Sequence, residues 1–403
     1  MELNVNIENI IEKCADLGIN YDLMESYHCL FKNYNDFFNR EKRIKTVYKF
    51  LSANGHRSKE KYAIELIKNH WEVHSKEPYY KYLKALSDIE PGIQKYNKNH
   101  RDHLVHTAYV FLLGLHLFKL NKNIRKAIKN YFRENRLESY SPQNSNGREI
   151  FDSFFKDYYG QIEPSNNLEL FRFIWLLIST FHDLSYPFES FICKMAPYIT
   201  HINNLGKDQS EYVPTSIELP FKGMEVLSSG NSFKILNKLQ KDYDKEGNYL
   251  DLEKYLKDRL NKGFVDHGII SALLLLKTSD VLYIKKNWKK RFFDKTFPPI
   301  ALGIALHNID WKYAKDNYDK LPKITLEDFP LCYLLILADT LQEWDRPSKK
   351  SNIGSKDISI KFDQEKGKFI VKIDLSEKRI NEIIEELQIK LSSINIPIIE
   401  KAL

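Results

Sequence analysis

The chain has 403 residues, of which 43% are hydrophobic and 29% are charged, and its formal net charge is +7. This composition excludes an intrinsically disordered chain. The length exceeds that of one small domain, so we expect one large helical core with additions, or two domains. The mild basic excess is compatible with nucleic acid or other phosphate partners and does not require them.

Cysteine usage and hydropathy indicate a soluble, cytoplasmic protein with no membrane contact. The four cysteines are scattered and form no CxxC pair, which is typical of reduced thiols: Cys14, Cys29, Cys193 and Cys332. The polar and acidic start of the chain does not resemble a secretory signal. The longest apolar runs are about half as long as the ~20 residues that a membrane helix needs.

Residues 1–95 are predicted to form an N-terminal helical region. Apolar residues at the three- and four-residue spacing of an amphipathic helix mark its beginning: Ile7, Ile10, Ile11, Cys14 and Leu17. Pro91 and Gly92 predict a break in helical structure by their residue types. Little in this region indicates chemistry.

Two apolar helices carry polar residues of the metal-ligand type at one end. The first is preceded by three histidines within seven residues, His100, His103 and His106. The second covers residues 173–181 and runs directly into His182 and Asp183. A carboxylate at the edge of a dry core needs a partner, because an unpaired buried charge is strongly unfavourable. A bound cation would satisfy Asp183 and would also suit the imidazole beside it.

Three more apolar helices follow the same pattern, after a polar segment. His267 opens one at 263–276, and His307 ends one predicted to start near Pro299. Asp339 lies inside a run that begins at Pro330 and contains no charged residue before it. The segments near 134–167 and 194–250 are predicted to be insertions, and the second is polar and irregular with several prolines and glycines.

The last segment, 357–403, differs from the helical core. Ile358, Ile360 and Phe362 alternate with polar residues, and the same alternation returns at 369–373 after a turn, which predicts a β-hairpin. Apolar residues at helical spacing from Ile380 to Leu391 predict a closing helix. We therefore expect a small C-terminal α+β appendage.

Histidine and aspartate recur at the ends of apolar helices, where a core would not select them for packing. A lone case is more often a hydrogen-bonded core residue, but a shared cation is the simplest explanation for the complete set: His106, His182, Asp183, His267, His307 and Asp339. Nitrogen and oxygen ligands without thiolate suit Mn, Fe, Ni, Co, Zn or Mg and do not decide among them.

The order of these residues resembles the HD superfamily of metal-dependent phosphohydrolases. The segment 106–110, His-Thr-Ala-Tyr-Val, is similar to the first motif of the family, and His182-Asp183 resembles the doublet that names it. Asp339, within Leu-Ala-Asp-Thr-Leu, resembles the last aspartate. The resemblance covers residues 98–345. It implies that the minimal metal site consists of four residues: His106, His182, Asp183 and Asp339.

Two further histidines resemble those of HD members that hold two metals, such as HD-GYP phosphodiesterases and CRISPR-associated HD nucleases. The residues are His267, within Asp-His-Gly, and His307. The resemblance implies that Asp183 bridges two divalent metal ions and that His267 and His307 hold the second. The sequence departs from the family after the doublet: residues 184–188 replace the usual Ile-Gly-Lys or Gly-His-Pro, so a substrate-binding lysine or histidine does not carry over.

The resemblance leaves the residues that contact substrate less well defined. We assign His106 as the metal ligand and His103 as a contact to the phosphate or the leaving group, although both would share a helix face. The charge that develops on phosphate could be neutralised by Arg101, His103 and Lys194, with His201 as an alternative to Lys194. Arg101 is equally well explained as a surface charge.

Together these features predict a mainly α protein. The resemblance implies an HD-domain helical bundle at 96–350, to which we expect the N-terminal helical extension and the C-terminal appendage to be added. The predicted function is two-metal hydrolysis of phosphodiester bonds in a nucleotide or nucleic acid. One alternative is a deoxynucleoside triphosphate triphosphohydrolase, whose deep pocket would use residues 194–250 and the contacts of a homo-oligomer. A non-enzyme alternative is a metal-containing sensor or scaffold.

Overall fold

A computed structural model describes eleven stretches of the chain, which are 19–31, 37–74, 82–89, 102–135, 167–189, 231–286, 290–342, 358–363, 368–373, 375–391 and 397–401. These stretches are mostly helical, so the mainly α prediction is confirmed. They belong to two compact units: Met1–Thr180 with Lys323–Leu403, and Phe181–Pro322. The predicted boundaries near residues 95 and 350 are placed where the sequence motifs change, whereas the two units are defined by compactness in space. The three-part division therefore stays a prediction.

The first unit contains eight of the helices that we label, the last of which, α13 (Glu377–Lys390), belongs to its C-terminal segment and is described below. In chain order the other seven are α1 (Ile19–Phe31), α2 (Phe37–Ser52), α3 (His56–His74), α4 (His103–Leu120), α5 (Lys122–Glu134), α6 (Asn167–Phe181, whose last residue begins the second unit) and α12 (Pro330–Leu341). Helix α4 packs against α1, α3, α5 and α12. The early helices confirm the predicted helical character of the N-terminal region where the structure describes it.

Helix α4 is the central element of the first unit. Every residue from His103 to Phe118 is buried, so the helix has no polar face, as expected of a helix surrounded by others. The carboxylate of Asp102 caps its N-terminus by accepting hydrogen bonds from the backbone amides of Leu104 and Val105, both at 3.0 Å. The helix is long and apolar enough to cross a bilayer, yet 89% of it is buried inside the fold, which explains its apolarity by packing.

A glycine sets the distance between α4 and α6. A Cβ atom added at Gly114 would lie 2.0 Å from the ring of Trp175, a separation that no packed side chain could tolerate. The indole Nε1 of Trp175 donates to the backbone oxygen of Phe111 at 3.0 Å. The close approach therefore buries an aromatic side chain and also gives its polar atom a partner.

The C-terminal segment of the first unit forms a three-stranded sheet with one helix. Strands β1 (Ile358–Asp363) and β2 (Lys368–Ile373) pair antiparallel, with Ile360 opposite Val371, and helix α13 (Glu377–Lys390) follows. The predicted hairpin and closing helix are confirmed. The sequence gives no indication of β3 (Ile398–Lys401), which pairs parallel to β2, because four residues are too few to show an alternation.

The second unit contains the remaining labelled helices. These are α7 (Ser232–Tyr243), α8 (Leu252–Asn261), α9 (His267–Lys286), α10 (Lys290–His307) and α11 (Trp311–Asn317). Helices α9 and α10 pack along each other, and α7 packs against α10. His267 begins α9 and His307 ends α10, as predicted.

Two predictions for the second unit are wrong. The segment 194–250 is not irregular throughout, because Asn231 caps the helix Ser232–Tyr243; residues 194–230 lie outside the described stretches. The helix that ends at His307 begins at Lys290 and not near Pro299, so Pro298 and Pro299 lie inside it. Pro330 does occupy the first position of its helix, where its missing amide hydrogen is harmless.

The Gly114→Ala substitution should destabilise the protein. The added methyl group must displace the Trp175 ring and break its hydrogen bond, so we expect a loss of about 3 kcal/mol in the free energy of unfolding, at the upper end for overpacking. Urea unfolding measures this loss of stability. The control is Lys126→Ala, which changes an exposed residue on a helix. A loss as small as in the control would contradict the close packing.

Two buried histidines of the first unit should make it sensitive to acid. Burial lowers the pKa of His116 to about 4 and that of His70 well below its usual value. Their ring nitrogens contact Ser26 Oγ at 2.7 Å and Tyr27 Oη at 2.8 Å, respectively. Between pH 6.5 and 4 the unfolded chain binds protons at these positions and the folded chain does not, so acid favours unfolding.

For His116 this linkage amounts to about 2 kcal/mol between pH 7.5 and pH 5. Urea unfolding at the two pH values should show that the His116→Gln variant loses less stability on acidification than the wild type. An equal loss in both proteins would show that His116 does not remain neutral in the fold.

Candidate metal centre

The second unit brings together one carboxylate and three imidazoles. After α6 ends at Phe181, the chain turns twice: the amide of Leu184 donates to the Phe181 oxygen at 3.2 Å, and that of Tyr186 to the Asp183 oxygen at 2.9 Å. These turns leave His182 and Asp183 buried at the helix end. The doublet therefore lies where the sequence predicted it, at the point where the apolar run stops.

Two buried serines fix the doublet against the start of α9. The amide of Ser185 donates to Ser271 Oγ at 3.0 Å, and the Ser185 hydroxyl donates to the backbone oxygen of His267 at 2.5 Å. Both side chains are fully buried, where an unsatisfied hydroxyl would be unfavourable. The hydrogen bonds thus tie the turn that carries Asp183 to the first turn of the helix that carries His267.

A second close approach brings His267 and His307 together. A Cβ atom added at Gly268 would lie 2.8 Å from the Ile304 oxygen and 3.1 Å from His307 Nδ1. Only glycine allows α9 and α10 to approach this closely at their ends. As a result, the His267 and His307 rings lie 5.6 Å apart between centroids.

Asp183 lies among the imidazoles and directs its two oxygens to different rings. Its Oδ1 lies 3.0 Å from His267 Nε2 and 3.8 Å from His307 Nε2, whereas Oδ2 lies 3.3 Å from His182 Nε2. One potential ligand atom from each of Asp183, His267 and His307 falls within 4.8 Å of the others. Ligands on opposite sides of one cation are about 4 Å apart, so this spread is close to that of a metal site.

The surrounding charges keep the carboxylate ionised. Burial alone would raise the pKa of Asp183, but the positive His182, the hydrogen bond from His267 and the nearby His307 hold that pKa well below its usual range. Burial would likewise lower the pKa of His267, yet the Glu189 and Asp183 carboxylates raise it well above the ordinary value. An ionised carboxylate has all its lone pairs available to a cation.

In His267 and His307, the ring nitrogen that faces away from Asp183 has its own hydrogen-bond acceptor. His307 Nδ1 lies 2.6 Å from the backbone oxygen of Ile304, and His267 Nδ1 contacts the carboxylate of Glu189. With the hydrogen kept on Nδ1, a cation that displaces a proton from Nε2 would find the lone pair of the neutral ring on Nε2, which faces Asp183. Histidines that bind metals in proteins have this arrangement almost without exception.

Two of the predicted ligands lie in the first unit, and the structure pairs them with each other. His106 Nε2 lies 3.0 Å from Asp339 Oδ1, and His106 Nδ1 lies 2.6 Å from Gln342 Oε1. His106 thus shows the same Nδ1 arrangement as the histidines of the second unit. The sequence-based hypothesis that His106 and Asp339 share a cation with His182 and Asp183 stays a prediction.

The predicted substrate contacts are largely untested by the structure. His103 is buried at the start of α4, one turn before His106, and its role in phosphate contact stays a prediction. Arg101, Lys194 and His201 lie outside the described residues. Tyr186, in the segment that follows the doublet, places its ring 5.5 Å from that of His267.

Sequence reasoning missed the residues that hold the histidines in place. Glu189 lies six residues after Asp183 in a segment without periodicity, and nothing distinguishes it from a surface acid. Gln342 follows Asp339 by three residues, a spacing that puts helical side chains on one face and could have drawn attention to it.

Searches against protein-family models, curated proteins and solved structures found no match to this chain.

The Gly268→Ala substitution should disturb the candidate metal centre more than the fold. The methyl group would push the first turn of α9 away from the last turn of α10, which separates His267 from His307. We expect a cost of about 1–3 kcal/mol in stability and a loss of bound metal, measured by thermal unfolding and by elemental analysis. Unchanged metal content in a folded variant would contradict the role assigned to this close approach.

Proposed function

We propose that the protein is a divalent-metal-dependent phosphohydrolase that cleaves phosphodiester bonds of a nucleotide or nucleic acid. The observation that supports this best is the geometry of Asp183, whose Oδ1 faces His267 and His307 while Oδ2 faces His182. A carboxylate that presents its two oxygens to two different sets of ligands is suited to bridge two cations.

The residues present fit divalent cations bound by nitrogen and oxygen. Asp183, His267 and His307 would hold one cation, through one carboxylate oxygen and two Nε2 atoms. His182 and the other oxygen of Asp183 would contribute to a second. For His106 and Asp339 as its remaining ligands, the proposal rests on the sequence resemblance alone. The donor set is compatible with Mn, Fe, Ni, Co, Zn or Mg.

Cations bound there would act as Lewis acids on phosphoryl oxygens and would activate water for attack on phosphorus. The protein's own contribution is to hold the ligands in position before substrate arrives. Ser185 and Ser271 fix the turn that carries Asp183, and the acceptors on Nδ1 fix the rotation of the rings. Burial of the cluster also excludes bulk water, which strengthens every electrostatic interaction in it.

The direct test compares metal content and turnover in the same preparations. Wild-type protein should bind about two equivalents of metal, His267→Ala should lose about one of them, and Asp183→Ala should lose most of both. Hydrolysis of bis(p-nitrophenyl) phosphate with added Mn²⁺ should fall on the order of 100-fold or more in both variants. Glu253→Gln is the control, because that carboxylate is exposed and pairs with Lys257 rather than with a candidate ligand.

The other outcomes separate the alternatives. Hydrolysis of deoxynucleoside triphosphates without any cleavage of diesters would favour the triphosphohydrolase. Bound metal without turnover of either substrate class would favour the sensor or scaffold. Full metal content in the Asp183→Ala protein would contradict the assigned site.

A further inference from the structure

The geometry points to Glu189 as a positioning residue that sets the tautomer and the donor strength of His267 toward a bound cation. This inference rests on the proposed function, because it needs His267 to be a metal ligand. It adds a residue that lies outside the set indicated by the sequence resemblance.

The contact itself defines the role. Oε2 of Glu189 is hydrogen-bonded to His267 Nδ1, while Nε2 of the same ring lies 3.0 Å from Asp183 Oδ1. An ionised carboxylate can only accept, so Nδ1 must be the donor. In the metal-free protein Nε2 likewise donates to Asp183. Once a cation displaces the proton on Nε2, the neutral ring carries its lone pair on that nitrogen, on the side of Asp183. Glu189 contacts the nitrogen that is not directed at Asp183, so it acts through His267 and not as a ligand.

The charge on Glu189 distinguishes His267 from His307 and His106. His307 Nδ1 is held by the backbone oxygen of Ile304, and His106 Nδ1 by the neutral side-chain oxygen of Gln342. A carboxylate forms a stronger, charge-assisted hydrogen bond than either neutral acceptor and raises the basicity of the ring more. Among these three rings, His267 should therefore be the strongest donor to a metal.

Asn308 lies beside the same nitrogen and would become an acceptor for it only after its side-chain amide is rotated. Its side-chain amide lies 3.1 Å from His267 Nδ1, with the amide nitrogen as the nearer atom. While Nδ1 donates to Glu189, it cannot accept from an amide N–H, so this contact is not a hydrogen bond in the metal-binding tautomer. If Glu189 is removed, rotation of the amide by 180° would present its oxygen to Nδ1. Asn308 should then replace Glu189 in part.

Glu189 can be changed without opening the core. Its side chain is 30% exposed, and it lies at the end of the helical stretch 186–189 that follows the turn after the doublet, so shortening it leaves no large cavity. The metal-free variants should consequently unfold within a few degrees of the wild-type temperature. A change in metal binding would then report on His267 and not on folding.

The experiment is a titration of metal-free protein with Mn²⁺, with free Mn²⁺ measured by electron paramagnetic resonance. The Glu189→Ala variant should bind Mn²⁺ about 10–100-fold more weakly at the site that contains His267. The affinity of Glu189→Gln should lie between those of Glu189→Ala and the wild type. The Asn308→Ala variant should bind Mn²⁺ with nearly wild-type affinity. The double variant, Glu189→Ala with Asn308→Ala, should lose more Mn²⁺ affinity than the two single variants together. Glu253→Gln, an exposed glutamate of the same unit paired with Lys257, is the control.

Two results would overturn the inference. If wild-type protein binds Mn²⁺ and Glu189→Ala binds it equally tightly, Glu189 does not position a ligand, although the proposed function stands. If wild-type protein binds no Mn²⁺, the proposed function fails and this inference fails with it. Should the alanine variant not fold, the isosteric glutamine variant decides: unchanged affinity there would show that the carboxylate charge has no role.

Discussion

The buried carboxylate of Asp183 is the constraint on which the candidate centre depends. A negative charge removed from water is strongly unfavourable unless it is paired and hydrogen-bonded. His182, His267 and His307 surround it, and the charge on His182 together with hydrogen bonds from His267 and His307 holds its pKa well below the ordinary value. This arrangement keeps a negatively charged carboxylate in a site that is shielded from water. A divalent cation can bind there if it displaces protons from the imidazoles.

Helix ends and close helix contacts produce this arrangement. The doublet follows the last residue of α6, His267 is the first residue of α9, and His307 is the last of α10. Polar side chains at helix ends can reach the core edge without interrupting a buried helix. Gly268 then allows the ends of α9 and α10 to meet, and Ser185 joins the turn after the doublet to the same place. Small residues are thus as necessary to the centre as its ligands.

Much of the framework could be predicted from the sequence. The apolar runs with histidine or aspartate at their ends identified the candidate ligands, and the structure brings Asp183, His267 and His307 together. The alternation at 358–373 correctly predicted the hairpin. These signals are local, because a helix or strand repeats its pattern within a few residues.

The supporting residues could not be predicted, since their roles depend on contacts between distant segments. Glu189 meets His267 across 78 positions of sequence, and Gln342 meets His106 across 236. A single glutamate or glutamine has no periodicity to reveal such a contact. The helix Ser232–Tyr243 was missed for another reason: its polar composition suggested a loop, while capping by Asn231 and packing on α10 stabilise a helix.

The most direct test of this account is to locate the metal by anomalous X-ray diffraction from crystals of the Mn²⁺-loaded protein. The account predicts an anomalous peak bound by the carboxylate of Asp183 and by Nε2 of both His267 and His307, with Glu189 still bonded to His267 Nδ1. A peak bound elsewhere, or no peak within reach of Asp183 at saturating Mn²⁺, would contradict it.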